Sequence, residues 1–206
     1  MHFWCPENLR FSWESHSDFW DTENLKNFQV NEEDFLSMPF AVTHVLLTII
    51  LVDIFRDYFT KHRKYFTLHT IFIAGIAGLL PDIDIPLNWF LNLFGLSITH
   101  GTITHTPLFA LIFLIPGFIL WYNKKHKEAV YFFVICFGIF LHLFLDYLVK
   151  GDYGSGIMFF YPFSNVTYGL NLFQNVEPNF FAAIDAIILL AWLWHEEIKH
   201  KISDFI

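Results

Sequence analysis

The chain has 206 residues, of which 55% are apolar and only 16% charged, with 27 Phe and 7 Trp. A soluble domain carries about 25% charged residues, so this deficit, with a positive mean hydropathy, argues for an integral membrane protein. The net charge of −8 leaves no basic footprint for a nucleic-acid partner.

Residues 1–38 hold eight acids and two bases, net −6, and the rest of the chain is close to balanced. This first region lacks the basic start and uninterrupted apolar core of a signal peptide. It reads as an acidic, aromatic-rich N-terminal extension, solvated and partly helical outside the membrane, or in a sharper reading as a cap over the outer face. The two cysteines, Cys5 and Cys136, sit in unlike contexts, so no disulfide framework is expected. Cys136 reads as a small buried apolar residue.

Residues 39–206 form the membrane-embedded domain. Five apolar stretches follow one another at 40–59, 68–80, 107–122, 129–149 and 180–195. Several fall short of the ~20 residues that span a ~30 Å hydrocarbon core. They are too long for strands, and lipid-exposed backbone must satisfy its own hydrogen bonds, so they read as helices. The expected fold is all-α, an integral membrane helical bundle of about five transmembrane helices with a polar metal-binding layer near the outer face.

Charge orients the bundle. The segments "KHRK" (61–64), "NKKHK" (123–127) and "IKHK" (198–201), with Arg56, hold nine of the twelve Lys and Arg residues. They fall at alternate loops, and the positive-inside rule places them in the cytoplasm. The N-terminus and the connections 81–106 and 150–179 then lie outside. Trp192 and Trp194 beside the last basic cluster read as interfacial anchors.

Measured from these anchors, polar residues on different helices reach one depth. His44 precedes Lys61 by 17 residues, Asp82 follows Lys64 by 18, and His105 precedes Lys124 by 19. His142 and Asp146 follow Lys127 by 15 and 19 residues. At 1.5 Å per residue these spans are about 23–29 Å. Asp185, 14 residues before Lys199, lies slightly deeper. Ionisable groups in a bilayer are expensive, ~2.5–3.5 kcal/mol each at the helix centre on insertion scales, and grouping them around a cation offsets that cost. His142 and Asp146 are four apart and share a helix face. Asp82 and Asp84 leave the second helix on a turn that Pro81 and Pro86 hold out of regular helix, so both can reach one metal or bridge two. His100 and His105 are five apart, which places His100 on a loop and His105 near the start of the third helix.

Mixed His and carboxylate ligands suit Zn, Mn or Fe. The ligand candidates exceed the three or four that one zinc takes, so one or two ions fit, and a two-metal hydrolytic site is expected. Asp84 or Asp146 is the candidate general base. His100 and Asp185 are candidates for the outer shell of ligand partners. The loop 149–164 is Gly-rich without the context of a phosphate loop; it reads as a re-entrant or lid segment from which Tyr153, Tyr161 and Ser164 can touch substrate.

The segments "THVLL" (43–47), "GIAGLLPDIDIP" (75–86), "HGTITHT" (100–106), "HLFLDYL" (142–148) and "YPFS" (161–164) resemble the YdjM-like family. Its members are predicted inner-membrane metal-dependent hydrolases. The resemblance covers roughly residues 40–165 and implies metal ligands at His44, Asp82, Asp84, His105, His142 and Asp146. A further likeness of the family to zinc-dependent phospholipase C at its ligand motifs implies a phosphoester or lipid substrate. Family members commonly have Arg and Gly after the first His of the "HGTITHT" motif, where this chain has Gly101 and Thr102.

The leading expectation is therefore a multi-pass inner-membrane hydrolase, N-terminus outside and C-terminus cytoplasmic, acting on a lipid-linked or phosphoester substrate at the extracytoplasmic boundary. A metal or proton transporter is the rival; Asp53, Asp57 and His69 would then form a second ion station. A non-catalytic scaffold held by metal is the third reading. Otherwise Asp53, Arg56, Asp57 and His69 read as a buried ion-pair network joining the first two helices. "HEEIKH" (195–200) misses the zincin spacing by one residue and reads as a solvated helix end. "NVT" (165–167) fits a glycosylation sequon and carries little weight.

Overall fold

The structure, a computed structural model, describes residues 40–60, 64–98, 100–149, 156–172, 176 and 178–200. The acidic extension over residues 1–38, Cys5 and Tyr153 lie outside the described residues.

Helix α1 runs over Phe40–Ile54 and continues into a π-helical turn, Phe55–Phe59. Helix α2 is Leu68–Ala77, followed by a 3₁₀ turn at Pro81–Ile83 and helix α3 at Asp84–Asn92. Helices α4 (Pro107–Ile112) and α5 (Leu114–Tyr122) descend from the loop carrying His100 and His105. Helix α6 spans His126–Val149 and helix α7 spans Pro178–His200. No strand occurs among the described residues; the only extended pairing there is an isolated antiparallel bridge between Ile157 and Tyr168.

All five apolar stretches are thus helical, with two departures. The connection 81–106, with its turn at Pro81 to Pro86 expected to stay out of regular helix, contains α3. Pro81 opens the 3₁₀ turn and Pro86 falls in the first turn of α3, where a missing N–H breaks no intrahelical bond. The third stretch is interrupted at Phe113, because Pro116 cannot donate to the carbonyl four residues back.

Among the described residues α6 alone is long and apolar enough to cross a membrane by itself. The pair Leu68–Ala77 and Pro81–Asn92 would do so together, bent by 57° at the break, and Pro107–Tyr122 forms a shorter apolar helix. Helix α7 has 23 residues but carries Asp185, Glu196, Glu197 and Lys199.

Helix α6 is central and packs against α1, α2, α4 and α5, while α1 also packs on α2 and α7. One apolar cluster joins Ala110 of α4 with Cys136, Ile139 and Leu143 of α6 and Ile157. A second joins Val52, Ala74, Val130 and Val134. Small residues set the helix separations, as in membrane bundles. A Cβ on Gly138 would stand 2.5 Å from the Cβ of Ala77, and one on Gly78 would stand 2.8 Å from the His44 carbonyl oxygen. These contacts draw α1, α2 and α6 together just below the polar layer. The outward faces stay apolar, with Phe72, Phe118, Ile187 and Leu190 exposed.

The charged group expected to join the first two helices joins α1 to α7 instead. Arg56 Nη2 lies 2.9 Å from Asp53 Oδ1, and its Nε lies 3.1 Å from Asp57 Oδ1. Lys199 Nζ reaches Asp57 Oδ2 at 3.1 Å and stands 3.7 Å over the Tyr58 ring. Trp192, expected as an anchor, turns inward and donates to Asp53 Oδ2 at 3.3 Å; Trp194 is exposed. Glu196 is buried while Glu197 and Ile198 are exposed, so the end of α7 is solvated on one face only. His69 is exposed. The reason is geometric: a 15-residue α1 plus its π turn brings Asp53 to Asp57 level with the last turns of the long α7, whereas α2 begins only at Leu68.

Candidate metal centre

Each polar side chain of the layer is delivered by a definite local feature. His44 lies in the second turn of α1. Asp82 sits in the 3₁₀ turn that ends α2, and Asp84 begins α3, where an acid also complements the helix dipole. His105 immediately precedes Thr106, whose Oγ1 caps α4 by accepting from Phe109 N at 3.1 Å, with Pro107 at the first helical position. His142 and Asp146 lie one turn apart near the end of α6.

Four of these converge. His105 Nε2 stands 3.3 Å from Asp82 Oδ1 and 3.7 Å from Asp146 Oδ2. His142 Nε2 stands 3.5 Å from Asp82 Oδ1 and 3.6 Å from Asp146 Oδ2. Two imidazole nitrogens and two carboxylate oxygens therefore alternate around a small ring. For a tetrahedral zinc with bonds of about 2.0–2.2 Å, neighbouring ligand atoms stand roughly 3.3–3.6 Å apart, which three of these four separations match. His44 Nε2 lies outside this ring, 3.2 Å from Asp146 Oδ1, and its imidazole packs 4.1 Å from that of His142.

The nitrogens aimed into the ring belong to buried imidazoles. His105 and His142 are each about 1% exposed, and their Nε2 atoms have no hydrogen-bond partner among the described residues. A buried nitrogen in that state is costly unless something occupies it. The opposite nitrogens are held. His142 Nδ1 donates to the Gly78 carbonyl oxygen at 2.7 Å, which leaves the Nε2 lone pair facing inward. His105 Nδ1 stands 3.2 Å from Thr104 Oγ1 and 3.6 Å from Asp84 Oδ2.

Asp84 stands behind His105, away from the ring. Its Oδ1 is 2.8 Å from His100 Nδ1, and its Oδ2 accepts from Gly101 N at 3.2 Å and from Thr104 Oγ1 at 3.0 Å. Gly101 has φ +80°, a conformation that favours glycine, and it supplies a backbone donor to Asp84. Asp185 of α7 accepts from Thr43 Oγ1, next to His44, at 2.8 Å. Ser164 Oγ accepts from Val166 N at 3.3 Å; among the described residues no hydrogen bond or ion pair joins Tyr161 or Ser164 to the layer.

Two sets of three groups can each hold a cation, with ligand atoms within 4.8 Å of one another: His44, His142 and Asp146, and Asp82, His100 and His105. A third set, Asp53, His195 and Glu196, shares Asp53 with the Arg56 guanidinium, which disfavours a second positive charge. The sequence reading missed Gly78, Thr104 and Thr43. Thr104 was within reach as the neighbour of His105. A backbone carbonyl such as that of Gly78 leaves no mark in residue chemistry.

Neither curated proteins nor solved structures return a match to this chain. The family model described as YdjM inner membrane protein matches residues 38–203. That match takes in every described helix and the whole polar layer, and the chain therefore belongs to the YdjM inner membrane protein family.

Proposed function

We propose that the protein is a multi-pass, metal-dependent hydrolase working at the extracytoplasmic boundary of the inner membrane. Five helical passes, N-terminus outside, carry it. One observation bears most of the weight: the inward Nε2 atoms of His105 and His142 face the Asp82 and Asp146 carboxylates at 3.3–3.7 Å. The donor set fits zinc best, with Mn or Fe as other borderline cations, and one or two ions are accommodated. Bound there, a metal supplies Lewis-acid polarisation of a phosphoryl or carbonyl oxygen and a water nucleophile at neutral pH.

The chain's own groups divide the remaining work. The Gly78 carbonyl holds the His142 imidazole from behind and Thr104, itself held by Asp84, holds that of His105, as metal-bound histidines require. Asp84, already bound by three donors, is unsuited to take a proton. Asp146 is better placed: its Oδ1 is backed by His44 Nε2, which can hold the proton next. Asp82 is the most exposed carboxylate of the ring, so substrate enters past it. A lipid-linked phosphoester suits a buried, Phe-walled layer opening at the membrane surface.

The transporter reading needs a second ion station deeper in the bundle. The group available, Asp53 and Asp57, is matched by Arg56 and Lys199, which favours a structural ion-pair network. The scaffold reading differs from hydrolysis only in turnover. Metal content of the purified protein tests the assignment: one to two equivalents of a transition metal are expected, lost in Asp82→Ala and His142→Ala. Retention in both variants would overturn the ligand set. Full loading without turnover on a panel of phosphoesters and lipid esters would favour the scaffold.

A further inference from the structure

Residues 84–98 leave the polar layer and return to it. Helix α3 has nine residues, about 13 Å of rise, well short of a ~30 Å core. Its start and the returning chain are pinned together by Asp84 Oδ1 and His100 Nδ1 at 2.8 Å and by Asp84 Oδ2 and Gly101 N at 3.2 Å. Halfway along, Asn88 Oδ1 accepts from Ile98 N at 2.9 Å. The segment is therefore a hairpin that folds back on the polar layer instead of running straight on from α2.

Two features suit this hairpin to lipid. First, between Asp84 and His100 the sequence has no charged residue, while Trp89, Phe90, Leu93, Phe94 and Leu96 are all more than half exposed. Such a patch is unusual on a surface that faces water. Second, the tip closes its own backbone. Leu96 N donates to Leu91 O and Gly95 N to Asn92 O, both at 3.1 Å, with Phe94 N to Leu91 O at 2.9 Å. Gly95 at φ +70° completes this helix-ending motif. Exposed irregular backbone is disfavoured in hydrocarbon unless its polar groups are satisfied, and here the amide donors of Leu93 to Leu96 and of Ile98 are each paired. The 57° bend from α2 tips the hairpin toward the membrane plane, with Trp89 suited to the headgroup level.

We infer that residues 84–98 form an interfacial hairpin whose apolar tip lies among the acyl chains of the leaflet bordering the polar layer. It continues the short α2 beyond its bend as a membrane-embedded element, and it sets the depth of Asp82 and Asp84 by fixing the end of their turn in lipid. The inference rests on the membrane-spanning reading and is independent of hydrolysis.

Site-directed spin labelling of the full chain in liposomes tests it. Cys5→Ser removes one thiol, and the remaining Cys136 is buried. Nitroxides are placed at Phe90→Cys and Phe94→Cys, with Ile119→Cys in α5 and Lys125→Cys in the following loop as apolar and aqueous references. At 90 and 94 the labels are expected to collide with oxygen as often as at 119, and several-fold less with a nickel chelate than at 125. Chelate access at 94 equal to that at 125, with 119 still lipid-like, would overturn the hairpin alone. An aqueous signal at 119 as well would overturn the spanning reading with it. Exclusion of both reagents at 94 would mean that protein covers the tip, a partner or a second copy, and would also overturn it.

Discussion

The Nδ1 of His142 donates to the carbonyl oxygen of Gly78 at 2.7 Å, across the crossing of α2 and α6. Helix packing is thereby coupled to ligand orientation, because the glycine that lets α1 approach the end of α2 also supplies the acceptor for His142 of α6. A Cβ at Gly78 would meet the His44 carbonyl at 2.8 Å and Thr48 Oγ1 at 2.9 Å.

Gly78→Ala is accordingly expected to lower stability by about 1–3 kcal/mol through overpacking and to weaken metal binding through the shifted carbonyl. Thermal unfolding in detergent and competition with a zinc chelator measure the two effects. Unchanged chelator competition in a destabilised variant would separate packing from ligand orientation and refute the coupling.

Asp84→Asn keeps the shape of the side chain but loses the charge that receives His100, Gly101 and Thr104. Metal affinity should fall about 10–100-fold, as for other outer partners of ligating histidines, whereas Asp82→Asn and Asp146→Asn should abolish it. Chelator titrations of the three variants side by side decide the matter. Equal loss in all three would make Asp84 a direct ligand.

Arg56→Met removes the cation between Asp53 and Asp57, which are almost fully buried. Breaking a buried pair this way costs about 3–5 kcal/mol. The metal content should nevertheless match the wild type, because the network lies at the other end of α1 from His44. A variant that loses its metal while retaining its unfolding midpoint would contradict the structural role.

Stripping the metal should destabilise the native state, since an ion binding only the folded chain stabilises it by about 2.7 kcal/mol at a hundredfold excess over its dissociation constant. The unfolding midpoint should drop on chelation and recover with added zinc. In His142→Ala, chelation should change nothing. A wild-type midpoint indifferent to chelator would remove the support for a resident ion.

Much of the architecture follows from composition and spacing. Sparse charge, alternating basic loops and long apolar runs are local properties, so the helical class and the existence of a polar layer can be read along the chain. The counts of residues from His44, Asp82, His105, His142 and Asp146 to their basic anchors place them at one depth, because helix rise per residue is constant. Depth is one coordinate, however. Azimuth depends on how helices cross, and that is set by small-residue contacts such as Gly138 on Ala77, which couple residues far apart in sequence. Only tertiary structure therefore turned Asp84 away from the ring and toward His100, brought the Gly78 carbonyl to His142, and paired Asp53 and Asp57 with the side of α7. The hairpin at 84–98 also belongs to this second class, since a polar clasp between Asp84 and His100 makes a turn of what would otherwise pass for the tail of a span.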